Sequence, residues 1–199
     1  MSTNLCVLGV ANEVLSPQDL VSCDKTDHAC HGGTLPGAWD YMQANGLSSD
    51  SSDPYACGGG CDNNTQVPAC PARVSPQKCP VQYSSLNSDP EIQAAVMTVG
   101  AVEVGFFVMA DFMNYKSGIF HSNSKQTLGG HAVKIVGWGH LLERFYWIVQ
   151  NSWGPAWGEE GYFRIDNWRE GAWILFYFIY RYTLCESCSR FDLPPPRIL

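Results

Sequence analysis

The chain is 199 residues long, enough for one domain or two small lobes whose core buries well over half of the unfolded surface. Its 12 basic and 19 acidic residues leave a net charge of −7, and the basic ones form no run that could follow a phosphate backbone, which argues against a nucleic-acid partner. Nine cysteines, most of them in a Gly-, Pro- and Asn-rich stretch from Cys23 to Cys79, read as a disulfide framework from an oxidising compartment, and the odd count leaves at least one without an internal partner.

Met1 to Ala11 contains no Lys or Arg and its apolar stretch is too short for a signal-peptide core, so a secretory targeting segment is expected upstream or already removed. Ser16-Pro17-Gln18-Asp19-Leu20 combines an N-cap, a proline suited to the first helical position and an acid in the first turn, and predicts a short helix. Thr34 to Asn45 places Leu35, Ala38, Trp39 and Met42 at helical spacing, with Gly46 as a left-handed stop. Ser48 to Pro80 has almost no apolar periodicity and reads as a long loop region held by disulfides. A zinc site built from Cys57, Cys61, Cys70 and Cys79 is disfavoured, because no pair of Cys-x-x-Cys knuckles repeats. Asp89 to Val99 opens on Asp-Pro-Glu and carries Ile92, Ala95, Val96 and Val99 on one face, a third helix.

After Gly100 the character changes. Ala101–Val108, His131–Trp138, Phe145–Gln150 and Gly161–Ile165 are short β-branched or aromatic runs between Gly-rich turns, which predicts an antiparallel sheet lobe. The fold class expected is α+β, a helical lobe over about residues 1–100 and a β lobe over about 101–165, with the active site in the cleft between them. The run Ala172–Tyr182 is apolar but falls well short of the roughly 20 residues that span a bilayer, so a membrane anchor is not expected.

Two strand ends carry the chemistry. His131 heads one predicted strand and Asn151 follows another, so their side chains can meet at a cleft edge. A thiolate nucleophile needs an imidazole to take and return its proton, and the imidazole needs an amide or carboxylate to fix its tautomer. Gly129-Gly130-His131-Ala132-Val133, the block Asn151-Ser152-Trp153-Gly154 continuing to Ile165, and Cys30-His31-Gly32-Gly33 closely resemble the papain family of cysteine peptidases. Ala101-Val102-Glu103 and Tyr115-Lys116-Ser117-Gly118-Ile119 resemble its cathepsin B branch. The resemblance covers about Cys6 to Ile165. It implies a papain-like two-lobe fold with His131 as general acid/base and Asn151 as its orienting partner. Trp153 would shield their bond from water, Gly32 and Gly33 would pair with the substrate backbone, Ala132 would line the pocket for the residue two before the cut, and Trp157 would border the leaving-group side. It further implies peptide or protein substrates, cystatin-type inhibitors, a monomer, no metal and no organic cofactor, and residence in a lysosome-like vesicle or outside the cell.

The sequence departs from that family in three places. No Cys-Gly-Ser-Cys-Trp segment carrying the nucleophile is present; Cys6 is followed by Val-Leu-Gly and better matches a structural half-cystine. The domain is therefore expected to be N-terminally incomplete and inactive as given, and a non-catalytic peptide- or inhibitor-binding homologue is the alternative. Beyond Ile165 the family pattern stops, and residues 166–199 are read as a divergent tail, the product of a frameshift, a retained intron or a mis-joined exon. The Cys57–Cys79 loop lacks the paired histidines with which cathepsin B holds a substrate C-terminus, which predicts endopeptidase action. Asn63-Asn64-Thr65 in that loop is a glycosylation sequon.

Overall fold

A computed structural model describes residues 13–57, 67–72 and 83–166, which fall into two compact units, one ending at Tyr83 and one beginning at Ser84. Cys6, the sequon and the 167–199 tail lie outside the described residues.

In the first unit, helix α1 spans Pro17–Cys23 and is capped as the sequence predicts, with the Ser16 hydroxyl accepting the Asp19 N–H. What the sequence does not predict is its buried face, which is polar: Ser16, Gln18, Asp19 and Ser22 are all at most 1% exposed. Each finds partners, as buried polar groups must. Asp19 accepts from the Tyr41 hydroxyl and the Ser48 N–H, and Gln18 donates to Ser22 and accepts from the Ala56 N–H. Loop 47–57 is thereby hung on α1 by hydrogen bonds in place of hydrocarbon. A disulfide from Cys23 to Cys70 ties in the following segment, and Cys57 is also disulfide-bonded, so neither Cys57 nor Cys70 is available to a metal. After a 3₁₀ turn at Ala29–His31, helix α2 spans Leu35–Asn45, with Thr34 accepting the Gly37 N–H and Gly46, at φ 72°, closing the last turn on Met42. Trp39 and Met42 are its buried residues.

The second unit opens with helix α3 (Asp89–Val99), capped by Ser88 and ended by left-handed Gly100, with Ile92, Ala95, Val96 and Val99 buried. The sequence reading drew the lobe boundary near residue 100; the compact unit begins at Ser84 and includes this helix. Five strands follow: β1 (Val102–Met109), β2 (Ile119–Phe120), β3 (Thr127–Leu141), β4 (Arg144–Gln150) and β5 (Tyr162–Asp166), in the order β1-β3-β4-β5-β2. Neighbours are antiparallel except β2 and β5, a parallel pair that strand patterning did not predict. The 3₁₀ segment Ala110–Asn114 was likewise not predicted; it drops Phe112 into the core at 0% exposure. Strand β3 begins at Thr127 and not at His131, because Gly129 and Gly130 pair with Val108 and Phe107 of β1. Val104, Ile135 and Trp147, all 0% exposed, lie in the core of the sheet unit.

The β3–β4 hairpin turns on Leu142, which sits at φ 56° and is 94% exposed. A branched residue in left-handed backbone costs on the order of 1 kcal/mol, and this one buries nothing in return. Leu142→Gly is expected to raise stability by up to about 1 kcal/mol after the entropy of glycine is subtracted. An unchanged or lowered melting temperature would show that the turn is not strained.

Candidate active site

Strand pairing assembles the site. Gln150 of β4 lies opposite Lys134 of β3, so Asn151, the next residue, reaches the neighbourhood of His131 on the adjacent strand. The Asn151 backbone N–H is anchored on Gly161 O at 2.9 Å, and its side-chain oxygen stands 2.8 Å from His131 Nε2. The Ser152 N–H donates to the same oxygen at 2.8 Å. An N–H can only donate, so this contact fixes which end of the Asn151 amide is oxygen, and oxygen facing Nε2 requires Nε2 to carry a proton. The neutral ring then holds its lone pair on Nδ1. Sequence reasoning singled out His131 and Asn151, which the strands bring within 2.8 Å of each other, but had no signal for Ser152, whose contribution is a backbone group.

Aromatic rings enclose the pair. Trp153 stacks on the His131 imidazole, centroids 5.0 Å apart and planes 29° apart, and Phe106 approaches it at 5.9 Å. Trp153 meets Trp157 edge-on at 5.0 Å, and both rest on Phe112, at 5.6 and 5.0 Å. Ala132 is exposed beside His131, opposite Gly105 of β1. Among the described residues, the buried Asn151 Nδ2 and Trp157 Nε1 have no hydrogen-bond partner.

The loop bearing these tryptophans is held by a clamp that the sequence did not reveal. Glu159 accepts from Arg164 Nε and Nη2 at 2.9 and 2.6 Å and from the Gly118 N–H at 2.9 Å. Tyr115 OH donates to Gly118 O at 2.6 Å and accepts the Arg164 N–H at 3.2 Å. Gly158, at φ 59°, is required here, since a Cβ would fall 2.6 Å from Tyr162 O. The Arg164 guanidinium, aided by the Gly118 N–H, holds the Glu159 carboxyl below its ordinary range against the opposing effect of burial. Protons therefore bind Glu159 more readily in the unfolded chain, so its contribution to stability is present above the ordinary carboxylate range and is lost as pH falls through the lowered value. Glu159→Gln is expected to melt lower than the parent chain at neutral pH, with the gap closing below about pH 4. A gap independent of pH would assign the loss to shape and not to charge.

In the first unit, the 3₁₀ turn presents Gly32 and Gly33. Gly32 donates to Ala29 O and accepts the His28 N–H, so both its backbone groups are spent within the turn. The Gly33 N–H and C=O have no partner among the described residues. Cys30 is a free, exposed thiol.

The profile described as papain family cysteine protease matches residues 1–174, running past Ile165 where the resemblance had been read to stop. A cathepsin B-like protein of Giardia intestinalis, CP2, is 38% identical over 170 residues, covering 80% of this chain and 55% of its own length. Cathepsin B-like protease 1 of Arabidopsis thaliana is 34% identical over 182 residues, covering 83% of this chain and 48% of its own. The solved structure of procathepsin B S9 from Trypanosoma congolense superposes with a TM-score of 0.79 at 28% identity, covering 92% of this chain and 65% of that one. The chain belongs to the papain family of cysteine proteases and has its α+β fold. Within that family its similarity is to the cathepsin B-like members, and it spans about half the length of the curated relatives it matches.

Proposed function

We propose that His131 and Asn151 are the acid/base half of a cathepsin B-like cysteine peptidase. The bond from His131 Nε2–H to Asn151 Oδ1 carries this reading, because it leaves Nδ1 as the nitrogen that takes a proton from an attacking thiol and returns it to the leaving amine. Trp153, stacked on the ring, keeps water from competing for that bond. Substrates are peptides or proteins whose extended backbone pairs with Gly33; Gly32, spent within its own turn, supports that residue. Ala132 borders the pocket for the residue two before the cut, and Trp157 the leaving-group side.

The nucleophile is unassigned. Cys23, Cys57 and Cys70 are disulfide-bonded, and the 199 residues contain no Cys-Gly-Ser-Cys-Trp segment. The second reading is a non-catalytic homologue that binds peptides or inhibitors without cutting them. Fusing a family Cys-Gly-Ser-Cys-Trp segment and its helix upstream tests the difference. Hydrolysis of a quenched peptide that appears in the fusion and vanishes with a thiol-directed epoxide supports the peptidase reading; a fusion that binds peptide with no turnover favours the binding homologue. Internal cleavage is expected, and dominant release of C-terminal dipeptides would contradict the endopeptidase assignment. The Cys23–Cys70 disulfide supports a place in the secretory pathway, in a lysosome-like vesicle or outside the cell, where cystatin-type inhibitors would meet the protein as a monomer.

A further inference from the structure

Residues 151–161 run from the end of β4 to the start of β5 and carry two side chains that act on His131, the Asn151 amide and the Trp153 ring. Much of this loop is left-handed: Gly154, Gly158, Glu160 and Gly161 have φ between 56° and 89°. For Glu160, which has a Cβ, that conformation is strained, and its side chain is exposed, so no burial of its own offsets the strain. Ties to neighbouring segments must hold the loop in this shape.

Among the described residues, two side chains of the loop hydrogen-bond outside it. One is Asn151, on His131. The other is Glu159, whose two oxygens accept from Arg164 Nε, Arg164 Nη2 and the Gly118 N–H at 2.6 to 2.9 Å. Arg164 lies in β5, with its guanidinium 5.7 Å from the centroid of the Tyr146 ring of β4, and Gly118 leads into β2. Glu159 thereby fastens one arm of the loop to the sheet.

Two routes lead from Glu159 to the imidazole. Along the backbone, Gly161, two residues on, accepts the Asn151 N–H at 2.9 Å and so sets where the Asn151 amide stands when it meets Nε2. Through the rings, Trp157, two residues back, meets Trp153 edge-on at 5.0 Å, and Trp153 stacks on His131. A displacement of this arm moves both the acceptor of the Nε2 proton and the ring that shields it.

We propose that Glu159 is a positioning residue for His131: docked on Arg164 and Gly118, it holds Asn151 and Trp153 in place against the imidazole. The proposal rests on the reading of His131 and Asn151 as an acid/base pair, and it adds a residue that acts through them.

The test uses the full 199-residue chain with nitrogen-labelled histidine and follows the His131 Nε2 proton at neutral pH, below every melting transition. Two variants disturb the clamp with little change of volume. E159Q replaces one acceptor oxygen by an amide nitrogen that can only donate, set among donors, and R164K keeps the charge but loses the planar fork. I92V, which removes a buried methyl group from α3, is the control for destabilisation alone. Exchange of the Nε2 proton is expected to quicken about fivefold or more in E159Q and in R164K, and to stay within about twofold of the parent in I92V. Exchange within about twofold of the parent in both clamp variants, or an equal quickening in I92V, would overturn the positioning role and leave the acid/base pair standing. A parent chain that carries the proton on Nδ1 would overturn the reading of the pair, and the positioning role with it. Should E159Q fail to fold, R164K decides.

Discussion

In the fusion carrying the Cys-Gly-Ser-Cys-Trp segment, His131→Ala should lower kcat/KM by about three orders of magnitude or more, and Asn151→Ala by roughly two. The difference follows from the geometry. In the proposed mechanism His131 takes the proton and gives it back, whereas Asn151 acts through it, by accepting Nε2–H at 2.8 Å and so holding the lone pair on Nδ1. Without Asn151, the Ser152 N–H loses its acceptor and the ring is free to change tautomer, but Trp153 still stacks on it at 5.0 Å. Asn151→Asp gives a further check: it keeps the acceptor for both donors, so it should retain more activity than alanine. Equal losses for Asn151→Ala and Asn151→Asp would mean that the oxygen does not orient the imidazole.

The largest loss of stability is expected from Phe112→Ala. This ring is 0% exposed and lies within 4.8–5.6 Å of Phe106, Phe120, Phe163, Trp153 and Trp157, centroid to centroid. Removing it leaves a cavity among large rings that cannot collapse without moving one another, at a cost of about 4 kcal/mol and on the order of 10 °C in melting temperature. Trp153 and Trp157 lose their common support, so near-UV circular dichroism should weaken below the melting transition as well. Phe112→Leu, which refills most of the volume, should recover much of the loss. A melting temperature within a degree or two of the parent for Phe112→Ala would remove this ring from its place at the centre of the sheet unit.

What could be read from the sequence is what local chemistry decides. Ser16 was named as the cap of its helix and Gly46 as the stop of another, because such residues satisfy orphan backbone groups within three or four positions of themselves; Thr34, Ser88 and Gly100 do the same in the structure without having been singled out. The His131 and Asn151 blocks were legible because each carries its strand and its glycines with it. The polar face of α1 was not, since Gln18 and Asp19 look solvent-facing until loop 47–57 is laid over them. Strand β2 is only Ile119–Phe120, too short to show a period, and exists because β5 offers an edge. The Glu159–Arg164–Gly118 clamp joins segments 41 residues apart, and nothing in the local pattern distinguishes it from a solvated charge pair. For Gly32 and Gly33 the motif named the pair; only the turn's own hydrogen bonds show that the first is spent and the second free.

In the proposed mechanism Asn151 holds His131 in the tautomer that frees Nδ1. Nitrogen NMR of the imidazole of selectively labelled His131 in the full chain, at a pH where the ring is neutral, reads this directly. A protonated Nε2 and an unprotonated Nδ1 are expected, with the Nε2 proton shielded from exchange in the parent and exposed in Asn151→Ala. A proton on Nδ1, or two tautomers in rapid exchange in the parent chain, would contradict it.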